Sequence, residues 1–333
     1  MNNFWEKLNK GFLAMAPMAG ITDLPFRKIC KNFGADVLYS EMASAAALYY
    51  DQNIKKKIKI SPTLDLLKFE KSEKPFVIQI FGSDPKHFEI ATKIITEKIK
   101  PDGIDINFGC PVKKVIKQGA GSALMRDFQK AKEVIRAVIE NTDLPVSIKT
   151  RTQVGDKNIL DFLDFISDLD IKALMVHGRS FSQGFSGELD FNILKNIRNY
   201  FGGSYIVNGF YLDSAENNSL EIAKYYKNLL IETEADGLGI GRIALGRPWV
   251  FKEIKDYFNE QNIFEIDKKT LKIIIIQHLK SVQKFYGKKG LFEIRKHIAW
   301  YTKGLKGGSL IRQKIFKAEN YQDMLKIIND TFN

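Results

Sequence analysis

Eight short apolar runs recur along the chain, each followed by a stretch with helical spacing, and this alternation restricts the fold more than any other feature. The runs are "FLAMAP" (12–17), "VLYSE" (37–41), "FVIQIF" (76–81), "GIDIN" (103–107), "VSIKT" (146–150), "ALMVH" (173–177), "SYIVN" (204–208) and "DGLGIG" (236–241). Between them, "FQKAKEVIRAVIENT" (128–142) sets Ala131, Val134, Ile135, Val138 and Ile139 at the i, i+3, i+4, i+7, i+8 spacing of one helix face. Strand then helix, repeated, specifies a parallel sheet, because a strand reaches a parallel neighbour only through a crossover. Runs that are apolar almost throughout need cover on both faces. Eight such units within about 240 residues match a closed (β/α)8 TIM barrel better than an open doubly wound sheet. No G-x-G-x-x-G follows the first run, which weighs against a dinucleotide-binding fold.

The strands cease after "GRPWVFKEI" (246–254). Helices are predicted over 268–287, 290–308 and near 315–330, with Gly287 and Gly304 where C-terminal stops belong. The chain is therefore read as a barrel domain over 1–251 and a small all-helical domain over 252–333. The charge lies in the second: residues 252–333 carry 17 basic and 9 acidic side chains, net +8 of the chain's +12. Such a face suits a polyanion, and a merely solvated surface carries the same residues. Over 291–305, Leu291, Ile294, Ile298, Tyr301 and Leu305 share an apolar face, leaving Arg295, Lys296, Lys303 and Lys306 to meet phosphates. The one low-complexity tract is the "KKKIKI" loop at 55–60.

With 44% apolar and 27% charged residues the chain is an ordinary globular composition. Its N-terminus lacks the pattern of a signal peptide and no stretch reaches ~18 consecutive apolar residues, so it is read as cytoplasmic and not membrane-spanning. Two cysteines, Cys30 and Cys110, cannot build a disulfide framework. His87, His177, His278 and His297 show no zinc spacing, so no metal is expected. Cys30 shares a helical apolar stripe with Phe26 and Phe33 and is read as packing. Cys110 differs, standing between a glycine and a proline just beyond a strand.

In a barrel of this kind the chemistry sits at the C-terminal ends of the strands. Those ends carry Pro17 and Met18, Glu41, Gln79, Asn107 and Cys110, Lys149 and Arg151, His177 and Arg179, Asn208 and Gly209, Gly241 and Arg242. Strands seven and eight end in "NG" and "GIGR", where glycines admit a close backbone approach and Arg242 adds a cation, as barrels use to bind phosphate. Lys149 and His177 offer positive charge toward the centre and Gln79 a hydrogen bond to a ring, which makes flavin mononucleotide (FMN) the natural ligand.

These residues fall in longer motifs: "APMAGITDLPFR" (16–27), "GADVLYSEMAS" (34–44), "QIFGSDP" (79–85), "DINFGCPVKKVIKQGAGSALM" (105–125), "KTR" (149–151), "VHGR" (176–179), "GIGRIALGRPWVF" (239–251) and "RKHIAWYTKGL" (295–305). Through them the chain closely resembles the tRNA-dihydrouridine synthases, in their bacterial B-type branch, over nearly its whole length. The resemblance implies FMN on a TIM barrel, NADPH as a transient reductant, a helical domain that holds tRNA at its D-arm and elbow, and reduction of the uridine 5,6 double bond. The chain is further read as a cytoplasmic, metal-free monomer. Carried over by position, Pro17, Met18, Ala19, Gln79, Lys149, His177, Asn208, Gly209, Gly241 and Arg242 form the flavin set. Asn107 and Arg151 hold the target uracil, Arg295, Lys296 and Lys303 meet the tRNA, and Cys110 is the proton donor. Two departures stand out: Phe210 where the family has an acid, and Phe185 where a tyrosine is usual.

The implied chemistry accounts for Cys110. Hydride added at C6 of a uracil leaves carbanion character at C5, to be protonated from the opposite face. A thiol with a reference pKa near ~8.5 is protonated at neutral pH and serves as that acid. The base must leave its stack to reach such a pocket. Two alternatives stay open on the sequence: a dihydroorotate-dehydrogenase-like FMN oxidoreductase acting on a free pyrimidine, and an RNA-binding protein that keeps the fold without redox activity.

Overall fold

The computed structural model describes residues 3–53, 62–209 and 218–332. Eight strands form the barrel: β1 (Phe12–Met15), β2 (Val37–Tyr39), β3 (Phe76–Phe81), β4 (Gly103–Asn107), β5 (Val146–Arg151), β6 (Ala173–His177), β7 (Ser204–Asn208) and β8 (Gly237–Ile240). Each pairs in parallel with the next, and β8 pairs back onto β1 through Phe12 and Gly237, so the sheet closes. All eight runs are strands, with ends within two residues of those predicted. A short antiparallel hairpin, Gln153–Val154 with Lys157–Asn158, follows β5. The intervening helix Phe128–Ile139 buries Ala131, Val134, Ile135 and Val138 as its spacing requires, and Asp127 caps it by accepting the Lys130 amide. The "KKKIKI" tract and Phe210 lie outside the described residues.

The chain divides into two compact units. The barrel unit comprises Met1–Leu24, Ala35–Glu216 and Tyr225–Gly241; the helical unit comprises Pro25–Gly34, Asn217–Lys224 and Arg242–Asn333. Trp5, Phe12, Val37, Tyr39, Val77 and Met175 belong to one apolar cluster of the barrel unit. The helical unit has its own core, in which Ile275, Leu279, Ile294, Ile298, Ile315 and Met324 are buried.

One helical span, Lys268–Tyr301, contains Gly287 at φ 53° and ψ −138°, which is not helical. His278 and His297 lie on either side of it with ring centroids 4.6 Å apart. On a straight helix, 19 residues would separate them by about 28 Å. The chain therefore turns back at Gly287 into two arms, as the stop signal predicts. The second arm ends at Tyr301 rather than near 308, and the last predicted helix is two, Gly308–Lys317 and Tyr321–Thr331. The break is set by Ala318 in extended conformation and by Asn320, whose side chain accepts the Asp323 amide and starts the final helix afresh. No helix among the described residues is long and apolar enough to cross a membrane.

Candidate active site

Strand register assembles the rim. Asn107 is opposite Lys149, and two residues nearer the rim Arg151 is opposite His177 and His177 opposite Asn208, so side chains from β4 to β7 stand in two successive tiers. Beyond β4 the chain turns through Gly109 and Cys110. Asn107 Oδ1 accepts both their backbone amides, at 3.1 and 2.9 Å, and Ser122 donates its amide and hydroxyl to the Cys110 carbonyl at 3.2 and 2.9 Å. Ser122 comes this close because Gly121 adopts φ +61° and a Cβ there would meet Cys110 Cβ at 3.1 Å. The turn is thus gripped on both sides, and Cys110 is half-buried. Burial pushes its thiol up, against the Val112 amide and the nearby Arg151 and Lys149 cations, which pull it down.

Lys149 sits at the mouth with its charge penalised. Burial lowers it to about 8, Arg151 pushes in the same direction, and Asp105 and Cys110 oppose. Among the described residues no acceptor lies within hydrogen-bonding distance of its ammonium, so an anionic or carbonyl-bearing ligand would meet a ready donor. Arg151 is committed to scaffolding: Nε donates to the Gly109 carbonyl at 3.0 Å, and Nη1 to the carbonyls of Ser180 and Gly184 at 3.0 and 2.8 Å. It also lies 5.5 Å from the ring of Phe185, which is 54% exposed and 6.0 Å from the His177 ring. The loop after β6 is thereby tied to the Cys110 turn.

The flavin set divides by element. Pro17, Met18 and Ala19 follow β1, where the Met18 amide donates to Thr22 Oγ1 at 3.2 Å. Asn208 Nδ2 donates to the Gly239 carbonyl at 2.6 Å. Gly209 adopts φ 140°, and a Cβ there would strike Leu189 at 2.8 Å, so a glycine is required at the end of β7. Gly241 follows β8, where a Cβ would only touch Ala16 and Asn208 at 3.9 Å, and Arg242 comes next in the 3₁₀ turn Arg242–Ala244.

The predicted tRNA contacts Arg295, Lys296 and Lys303 belong to the helical unit. Lys303 is exposed. Arg295 is not free as its position on the polar face implied: it donates to the Ala318 carbonyl at 2.8 Å and lies 4.8 Å from the Phe292 ring. Lys296 pairs with Glu293. Cys30 is fully buried, in keeping with packing.

Sequence reasoning missed Asp105. It is fully buried inside the barrel, accepts Gln79 Nε2 and Ser147 Oγ at 2.7 Å each, and is raised to about 6 by burial against the pull of those bonds and of Lys149. The signal was the alternation in "GIDIN", which puts Asp105 and Asn107 on the same face of β4.

The geometry defines a (β/α)8 barrel whose C-terminal rim gathers a gripped thiol, two adjacent cations and glycine-lined strand ends. A model of the dihydrouridine synthase (Dus) family matches residues 14–333. The tRNA-dihydrouridine synthase B of Pasteurella multocida is 33% identical over 97% of this chain and 93% of its own length. That of Vibrio parahaemolyticus is 36% identical over 88% and 87%. Among solved structures, an old yellow enzyme homologue from Zymomonas mobilis is similar in fold alone, at a TM-score of 0.51 and 13% identity over 80% of this chain and 96% of that one. The chain belongs to the dihydrouridine synthase family, in its B-type branch.

Proposed function

We propose that this chain reduces the C5–C6 double bond of D-loop uridines in tRNA, with FMN bound at the barrel mouth, NADPH as the transient reductant and Cys110 as the proton donor. Residues 1–251 act as the catalytic domain and 252–333 as the basic domain that receives the tRNA D-arm, in a cytoplasmic monomer. Family membership supports the reaction, and one structural observation carries the mechanism. The Cys110 thiol is gripped at the rim and pushed up by burial, so at neutral pH it holds a proton to give, unlike the low-pKa thiolates that act as nucleophiles.

The residues fit FMN. Lys149 offers an ammonium whose hydrogen bonds are unused among the described residues, Gly209 keeps the end of β7 bare, and Arg242 follows the glycine end of β8. Pro17, Met18, Ala19, Gln79, His177, Asn208 and Gly241 complete the set, with Asn107 and Arg151 beside the substrate ring. When bound and reduced, FMN supplies the hydride that adds to C6. Cys110 Sγ gives its proton to C5, so one hydride and one proton saturate the bond. Arg151 and Lys149 stabilise the thiolate left behind until solvent returns a proton.

Dihydrouridine mapped by position in tRNA after incubation with FMN and NADPH tests this reading. Wild-type protein should modify defined D-loop positions, and Cys110→Ala should lose about 10²-fold or more of the rate, the usual worth of a positioned general acid. A protein that binds FMN and oxidises NADPH, yet leaves tRNA unchanged and reduces a free pyrimidine, would overturn it.

A further inference from the structure

One carboxyl in the barrel interior takes no part in the steps above. Asp105 points inward from β4 and accepts Gln79 Nε2 at Oδ2, at 2.7 Å. Gln79 Oε1 accepts Asn107 Nδ2 at 2.8 Å, and Asn107 Oδ1 accepts the amides of Gly109 and Cys110. This run of bonds has a single direction. An ionised carboxylate only accepts, and a backbone N–H only donates. The two amides between them must each turn nitrogen toward Asp105 and oxygen toward Cys110. Reversing either one sets donor against donor or acceptor against acceptor and leaves buried polar groups unsatisfied. With no charge at the inner end, both amides could turn over together.

We propose that Asp105 is a positioning residue, which through Gln79 and Asn107 holds the turn carrying Cys110 and fixes which end of the Gln79 amide faces the rim. Its catalytic consequence rests on Cys110 being the proton donor; the positioning itself does not. Asn107, two residues beyond Asp105, lies about 6.6 Å nearer the rim, so the carboxyl acts from beneath the site without touching a ligand there. Ser147 Oγ, at 2.7 Å from Oδ1, holds the carboxyl from the β5 side.

The test is the rate at which iodoacetamide alkylates Cys110 in the FMN-free full chain, read on its own peptide so that Cys30 is counted separately. Asp105→Ala and Gln79→Met each remove one link, and each should release the turn and expose the thiol. A fall of one unit in thiol pKa raises the thiolate about tenfold at neutral pH, and alkylation should rise on that scale. Asp105→Asn, which can still accept from Gln79, should lie nearer the wild type, and Ser147→Ala, which leaves the Gln79 link whole, should not change. Should Asp105→Ala fail to fold, Gln79→Met decides alone. Wild-type alkylation in both variants overturns the proposal. So does an increase accompanied by faster hydrogen exchange throughout β4 and β5, which would mean lost barrel packing instead of a released turn. With FMN bound, the flavin absorption spectrum and reduction potential should move in Asp105→Ala and stay put in Ser147→Ala. The alkylation assay needs neither FMN nor tRNA, so failure of the dihydrouridine assay leaves it standing.

Discussion

Asparagine in place of Asp105 changes how stability depends on pH, in a direction opposite to the loss of a carboxylate held down by a cation. The folded chain holds this carboxyl at about 6 against an ordinary 3.8, because burial penalises its charge more than Gln79, Ser147 and Lys149 recover. Well below pH 4 the group is protonated whether the chain is folded or not, and it costs nothing. Between those values the folded state binds a proton that the unfolded state has released, so stability falls as pH rises. Above pH 6 the full cost is present. At about 1.36 kcal/mol per pH unit, the displacement is worth about 3 kcal/mol. Urea unfolding of wild type and Asp105→Asn at pH 4, 5, 6 and 7 reads it, because every other titration is common to both proteins. The difference between the two should move by about 2.4 kcal/mol in favour of the variant from pH 4 to pH 7, the rest of the displacement lying below pH 4. A flat difference would refute the reasoning, by showing that the carboxyl is as well solvated inside the barrel as outside.

Turnover should decline above pH 8 as Lys149 loses its proton, and Lys149→Met should lower the rate and abolish that alkaline limb; a pH–rate profile of both reads the outcome. Arg247 makes a two-pronged pair with Glu253, which is nearly inaccessible, so Arg247→Met should strand a buried carboxylate and cost about 3–5 kcal/mol, seen as a large drop in thermal stability. Lys303→Ala should reduce the salt dependence of tRNA binding by the release of about one counterion and leave stability unchanged. Arg295→Ala should destabilise the helical unit as well, because its guanidinium holds the Ala318 carbonyl; filter binding at graded salt and thermal melts separate the two.

Much of this was written locally in the chain. Barrel strands buried on both faces are short apolar runs, and because each is flanked by helical spacing, all eight could be located. The rim residues followed from where each strand stops. What escaped was set by contacts distant in sequence. Pro25–Gly34 carries the pattern of a barrel helix, yet it packs with the C-terminal helices, and nothing within its ten residues says so. Arg295 looked available because its partner, a helix-end carbonyl, has no side-chain signature. Asp105 was legible in principle: a charged residue alternating with isoleucines in a strand covered on both faces must point into the barrel, and there it needs partners.

The fold-back at Gly287 has a thermal consequence. It buries His278 and His297 against one another, with the His278 Nδ1 3.1 Å from the Tyr301 hydroxyl, and burial holds His278 down to about 3 and His297 well below its ordinary value. Unfolded, both imidazoles take up protons below about pH 6.5 that the folded arms refuse, so the helical unit loses stability as the medium turns acid. Asp105 gives the barrel the contrary habit over the same range. Mild acid should therefore split one melting event into two, the helices parting first while the barrel holds, and calorimetry at pH 5 would display the two endotherms separately.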